Sequence, residues 1–176
     1  MVEIKDKTFV PFLERDKIQE RVNELGKEIS KDYAGKQPVI LGILNGAFMF
    51  LSDLAKQITI SSELSFIKIS SYSGESSTGK VSQMIGLETN LINRHVIVVE
   101  DIVDTGLSMK HLVELIKEKN PASLAVATLL HKPEAIKHPI KLDYVGFNIP
   151  NKFVVGYGLD YDGLGRNLPE IYQLKT

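Results

Sequence analysis

The stretch Val96-Ile97-Val98-Val99-Glu100-Asp101-Ile102-Val103-Asp104-Thr105-Gly106-Leu107-Ser108 decides how this chain is read. Its first four residues are β-branched and apolar, the mark of a buried strand. Two adjacent carboxylates stand at the C-terminal end of that strand, and an Asp-Thr-Gly-Leu-Ser turn leads from it into a helix. Ligands of open α/β sheets bind at the carboxyl ends of the strands. A helix N-terminus offers free amides and a partial positive charge, which suits a phosphate. One segment therefore joins acids able to hold Mg²⁺ or a ribose with hydroxyls and a phosphate cradle. The combination points to a phosphorylated sugar as ligand.

Outward from this segment, strands alternate with helices. Ile18, Val22, Leu25 and Ile29 form one apolar stripe and predict a helix over Glu14–Tyr33, ended by Gly35 and Pro38. Val39–Leu44 reads as a strand, Ala47–Gln57 as a helix and Leu64–Ser70 as a strand. Ser71–Lys80 is a polar loop, and Arg94–Glu100 is the strand described above. Beyond Gly106, Met109, Leu112, Val113 and Ile116 share a helix face, and Asn120-Pro121 stops that helix. Ser123–Leu130, Leu142–Phe147 and Phe153–Tyr157 follow as strands, and the tail from Asp160 reads mostly as loop. The expected architecture is α/β, a mainly parallel twisted sheet flanked by helices on both faces.

Composition narrows the function classes. The chain has 176 residues, 43% hydrophobic and 24% charged, which fits one domain with a well-buried core. A formal net charge of -1 gives no sign of a general nucleic-acid or membrane surface. Cysteine is absent, so disulfides, thiol catalysis and cysteine-based zinc sites are excluded. Met1 to Asp16 is charged and lacks the apolar core of a signal peptide, and no apolar run is long enough to span a bilayer. A cytoplasmic location is the expectation, with no nucleic acid and no membrane as partner.

Each candidate residue has a plainer alternative. Glu100 and Asp101 would otherwise be a solvated strand end, and Asp104 a simple helix N-cap. Thr105, Gly106 and Ser108 would be capping and turn residues. The second glycine turn, Leu44-Asn45-Gly46-Ala47, serves packing alone or holds the other end of a polyphosphorylated ligand. Gly74-Glu75-Ser76-Ser77-Thr78-Gly79-Lys80 matches most of a P-loop, but Val81 stands where a Mg²⁺-binding Ser or Thr belongs. A polar, glycine-rich lid is the better reading of that loop. Lys132 would ordinarily be a surface charge, Phe153, Val154 and Val155 core, and Asp160 and Arg166 surface loop. His95, His111, His131 and His138 show no metal-ligand spacing, and no G-x-S-x-G elbow is present.

Val96–Ser108 resembles the phosphoribosyl-pyrophosphate motif of type I phosphoribosyltransferases. From about Val39 to Tyr161 the chain is similar to the hypoxanthine (hypoxanthine-guanine) members of that family. The likeness rests on Leu44-Asn45-Gly46-Ala47, Ser71-Tyr72, Glu100 to Gly106, Lys132, Phe153-Val154-Val155-Gly156-Tyr157 and Leu159-Asp160-Tyr161, in that order. It implies the type I phosphoribosyltransferase fold as a single domain over 1–176. A small hood subdomain would come from the N-terminal segment and the region from about 140.

The implied reaction joins a 6-oxopurine base to phosphoribosyl pyrophosphate, giving the nucleoside monophosphate and pyrophosphate, with two Mg²⁺ ions. By the same resemblance, Glu100 and Asp101 contact the ribose hydroxyls and the Mg²⁺ shell. Asp104, Thr105, Gly106, Leu107 and Ser108 hold the 5′-phosphate, and Asp104 faces purine N7 as general base or acid. Leu44, Asn45 and Gly46, with a cis peptide, bind pyrophosphate together with Arg166. Ser71 and Tyr72 belong to the lid. Lys132 donates to purine O6, Phe153 stacks on the base, and Val154 and Asp160 read the 2-position. Asp160 also reaches the second Mg²⁺ through water. The family assembles as dimers or tetramers, so a homodimer or homotetramer is implied.

Lys132 donates and cannot accept, so it favours a carbonyl at C6 over the amino group of adenine. Asn45 stands where many family members carry Lys, which removes a positive charge from the pyrophosphate turn. Two rivals remain. One is an enzyme preferring xanthine and guanine. The other is a non-catalytic regulatory protein that senses phosphoribosyl pyrophosphate and binds RNA.

Overall fold

The computed structural model describes residues 1–72 and 81–175. In chain order the elements are β1 (Val2–Ile4), β2 (Lys7–Leu13), α1 (Arg15–Asp32), β3 (Val39–Leu44), α2 (Phe48–Gln57), β4 (Glu63–Tyr72) and β5 (Val81–Ile85). They continue with β6 (His95–Val103), α3 (Leu107–Lys117), β7 (Ser123–His131), β8 (Tyr144–Asn148), β9 (Val154–Val155) and β10 (Ile171–Leu174). A single 3-10 turn, Pro133–Ala135, follows β7.

The larger sheet has the order β5-β4-β3-β6-β7-β8. Its β4, β3, β6, β7 and β8 run parallel, and β5 pairs antiparallel at one edge. Alternation along β6 decides which residues face which layer. Ile97 and Val99 pack with the buried stripe Ile18, Val22, Leu25 and Ile29 of α1 and with Phe50, Leu51 and Leu54 of α2. Val96 and Val98 pack on the opposite face with Met109, Leu112 and Ile116 of α3. Each side chain buried this completely stabilises the fold by about 1.5–3 kcal/mol. β6 is thus a fixed rail between two cores, and whatever its C-terminal end carries is held in place.

A second sheet, of order β1-β2-β10-β9, is antiparallel throughout. It caps the larger sheet as the hood, around Ile4, Phe9 and Val155. Helix α1 crosses α2 so closely that a Cβ on Gly26 would lie 2.4 Å from the Cβ of Gln57.

Several expectations are corrected. β6 runs to Val103, so Glu100 and Asp101 lie within the strand, three and two residues before its last one. The hood takes its C-terminal strands from Val154 onward, not from about 140, because Tyr144–Asn148 pairs parallel with β7 and completes the larger sheet. The tail from Asp160 contains β10, which pairs with both β2 and β9. The expected strand at Phe153–Tyr157 is confined to Val154–Val155, because Gly156 and Tyr157 turn into positive φ. Among the described residues, no helix is long and apolar enough to cross a membrane.

Candidate active site

Four segments meet above the carboxyl ends of the parallel strands: the end of β6 with its turn into α3, the turn after β3, the residue after β7, and the hood segment from Phe153 through β9 to Arg166.

The first is Glu100–Ser108. Asp101 Oδ1 accepts from the Ile102 amide at 2.7 Å, and Glu100 Oε1 accepts from the Asp101 amide at 3.1 Å. Burial, reinforced by the neighbouring Asp101 charge, holds the Glu100 carboxyl well above the usual carboxylate range. Burial also raises Asp101, against the lowering influence of its hydrogen bonds and of Arg166. Both residues are half-buried, so the pair is not a freely solvated strand end. Helix α3 has no side-chain N-cap bond, so Asp104 does not serve as its cap. Its carboxylate instead accepts from Lys132 Nζ at 2.8 Å. Gly106 opens α3 at φ +82, and a Cβ there would lie 2.2 Å from the His138 carbonyl oxygen. Both requirements demand glycine. The amides of Lys137 and His138 each donate to the Thr105 carbonyl at 3.0 Å and fix the turn from behind. A cavity of about 110 Å³ opens here, lined among others by Glu100, Asp104, Thr105 and Ser108.

The second segment is Leu44-Asn45-Gly46. The Leu44–Asn45 peptide is cis. Leu44 and Asn45 are exposed and Gly46 is buried. A Cβ on Gly46 would fall 1.6 Å from Asp101 Oδ2, so the absent side chain is what lets that carboxylate sit against the turn.

Lys132 follows β7 and is only 6% exposed, a burial the sequence did not suggest. Its ammonium is aimed at Asp104, and together they form a donor and an acceptor side by side.

The hood loop supplies the rest. Phe153 is 44% exposed, with its ring tilted on Phe9 at 6.2 Å and edge-on to Tyr161 at 5.9 Å. The rest of its side chain is open to solvent. Lys7 of β2 lies 4.5 Å from the Tyr161 ring centroid and 5.8 Å from that of Phe153, a neighbour no motif indicated. Val154 is buried in β9. Arg166 donates to the Gly158 carbonyl at 2.6 Å and pairs with Asp160 at 2.6 Å. Asp160 also accepts from the Gly163 amide at 2.7 Å. Gly158, absent from the expected site, seats on Gly46, since a Cβ on Gly158 would lie 2.0 Å from the Gly46 carbonyl oxygen.

Asp101 sits against Gly46 and beside Glu100, Asp104 pairs with Lys132, Glu100 and Asp104 line one cavity, and Arg166 reaches Asp101 through its charge. Asp160 is committed to Arg166, and no group of three or more His, Asp or Glu that could hold a metal occurs among the described residues. Backbone of Ser71 and Tyr72 ends β4 opposite Ser82 and Val81. Their side chains, and the Gly74–Lys80 segment read as a lid, lie outside the described residues. A larger groove of about 490 Å³, beside His131, Ile136 and Val145, is lined by no acidic residue.

Residues 13–162 match the phosphoribosyl transferase domain family. The chain is 45% identical over 165 residues to a hypoxanthine-guanine phosphoribosyltransferase of Streptococcus pneumoniae, covering 93% of this chain and 92% of that one. It is 42% identical to the protein of the same name from Bacillus subtilis, covering 93% and 92% of the two chains. The crystal structure of a hypoxanthine phosphoribosyltransferase from Staphylococcus aureus superposes with a TM-score of 0.88 at 43% identity, covering 94% and 91%. The chain therefore belongs to the phosphoribosyl transferase family, among its hypoxanthine-guanine phosphoribosyltransferases.

Proposed function

We propose that this enzyme transfers the 5-phosphoribosyl group of phosphoribosyl pyrophosphate to N9 of hypoxanthine, and of guanine, giving IMP or GMP and pyrophosphate. The observation that carries the reading is the pair formed by buried Lys132 and Asp104, 2.8 Å apart beside the acidic end of β6. O6 and N7 are neighbours on one edge of a 6-oxopurine. With a proton on N7, that edge presents an acceptor beside a donor. Lys132 complements the O6 acceptor and ionised Asp104 complements N7–H. As N9 attacks C1′ and the bond to pyrophosphate breaks, the N7 proton passes to Asp104. Adenine places an amino group against the ammonium and leaves a buried donor unpaired, which is strongly unfavourable. Phe153 supplies a stacking face common to all purines.

The 5′-phosphate belongs at the Asp104–Ser108 turn, on the amides that open α3. The pyrophosphate belongs at Leu44-Asn45-Gly46 and Arg166, and the ribose hydroxyls at Glu100 and Asp101. Ser71 and Tyr72 close over the site and exclude water that would capture a ribosyl cation. Backbone at Val154 and the Asp160 region meets the purine 2-position.

Glu100 and Asp101 fit a Mg²⁺ ion: they are adjacent oxygen donors on one strand, beside the turn that opens α3. Mg²⁺ commonly takes one or two carboxylates and completes its shell with water and substrate oxygens. When bound with phosphoribosyl pyrophosphate it would neutralise the leaving pyrophosphate. By the family resemblance Asp160, which pairs with Arg166 in the free protein, would reach a second ion through water.

Comparison of hypoxanthine with 7-deazahypoxanthine tests the reading. Hypoxanthine should be converted to nucleotide, while the 7-deaza compound should bind and inhibit without being consumed. Equal turnover of both would remove Asp104 from the chemistry.

A further inference from the structure

We propose that Tyr157, acting through Asp53, is a positioning residue for the pyrophosphate half of the site. The inference rests on the phosphoribosyl-transfer reading and assigns a role to Asp53, outside every motif, and to Tyr157, to which the resemblance gave none. Tyr157 is 2% exposed, and its hydroxyl donates to Asp53 Oδ2 at 2.7 Å. Gln19 of α1 donates to the same oxygen at 2.7 Å, and Lys56 holds Oδ1 at 2.8 Å. Both oxygens of Asp53 are thereby fixed. Burial raises the Asp53 carboxyl, but the bonds from Lys56, Tyr157 and Gln19 outweigh it, and the group stays low and ionised. Burial and then the Asp53 contact push the Tyr157 phenol up, so its hydroxyl stays a donor.

The backbone shows what this anchor holds. Gly156, Tyr157 and Gly158 all have positive φ, at +98, +50 and +101. A bulky side chain rarely occupies that region, and such a residue persists where its surroundings over-determine it. Glycine would adopt the turn more freely, so the tyrosine is there for its side chain. That side chain ties the turn to α2, and α2 begins two residues after Gly46. The next residue, Gly158, lies on the Gly46 carbonyl, donates to the Arg166 carbonyl at 3.0 Å and accepts from Arg166 Nη1 at 2.6 Å. The Tyr157–Asp53 bond therefore holds Arg166 and the Leu44–Gly46 turn on one base. Releasing it loosens the two groups that face pyrophosphate and leaves the Lys132, Asp104 and Phe153 side untouched.

The experiment compares wild type, Tyr157→Phe, Asp53→Asn and Asp53→Leu. It measures the Kd for pyrophosphate by calorimetry with Mg²⁺, and KM for phosphoribosyl pyrophosphate and for hypoxanthine. Tyr157→Phe should raise the first two by about fivefold or more, the factor expected for one lost hydrogen bond, and change KM for hypoxanthine less than twofold. Asp53→Asn keeps an acceptor for the hydroxyl and should restore most of the pyrophosphate affinity, whereas Asp53→Leu should match Tyr157→Phe. If Tyr157→Phe does not fold, the contrast between Asn and Leu at position 53 decides. Unchanged pyrophosphate affinity in folded Tyr157→Phe, or an equal loss for every ligand, overturns the positioning role while the transfer reading stands. A wild-type protein that binds no pyrophosphate and makes no nucleotide overturns both.

Discussion

At the scale of single residues, the account turns on Asp104 and Lys132. Asp104→Asn should keep the fold and the affinity for phosphoribosyl pyrophosphate while lowering kcat by about 10²-fold, the range of a lost general base. Steady-state kinetics beside a binding isotherm on the same variant would show it, and an unchanged kcat removes the proton-transfer role. Lys132→Ala should lose about tenfold to 10²-fold in kcat/KM for hypoxanthine and narrow its margin over adenine, read from parallel assays of the two bases. Asp104 was legible in the sequence because its turn is contiguous. The partnership was not, because the two residues stand 28 positions apart and only the parallel pairing of β6 and β7 brings them together. Lysine at a strand end reads as a surface charge, and nothing local announces its burial. Asp53 and Tyr157 were hidden for the same reason, separated by 104 positions.

Among the elements, the parallel strands of the larger sheet were legible, its antiparallel edge β5 was not, and of the hood only β9 was read, within Phe153–Tyr157. Apolar runs such as Val96–Val99 and Leu124–Leu130 carry the signal of a sheet covered on both faces. The hood strands carry less. β2 contains Pro11, which demotes a strand in any pattern reading. The structure accommodates it where the register of β10 shifts between Ile171 and Tyr172. β9 is two residues long, and β1 only three. The turn into α3 offers a prediction at this scale. Gly106→Ala must place a side chain at φ +82 against the His138 carbonyl. It should destabilise the protein by about 1–3 kcal/mol and weaken binding of ribose 5-phosphate, both measurable by thermal denaturation with and without that ligand. A variant as stable as wild type and equally stabilised by the ligand would show that the turn is not a built cradle.

For the whole molecule, the acid pair at the end of β6 sets function against stability. Glu100 carries a carboxyl raised by burial and by Asp101, so the native state binds its proton more tightly than the unfolded chain does. Stability from this group is then lost as pH rises from the ordinary carboxylate range through the raised native value, and stays lost above it. Glu100→Gln removes that cost. The free variant should be more stable than wild type by about 1 kcal/mol, a few degrees in Tm, with the gap widening as pH rises through that window. Phosphoribosyl pyrophosphate with Mg²⁺ should close or reverse the gap, since only wild type keeps both carboxylates. Melts across pH, with and without the ligand, would check it, and a variant less stable at every pH contradicts the argument. The measurement that tests the central claim most directly is product formation from phosphoribosyl pyrophosphate and Mg²⁺ with hypoxanthine, guanine, xanthine and adenine in parallel. The account predicts IMP from hypoxanthine, GMP from guanine and little or no AMP, with xanthine showing how the 2-position is read. No nucleotide from any base, in protein that still binds phosphoribosyl pyrophosphate, would contradict it and leave a regulatory sensor as the better reading.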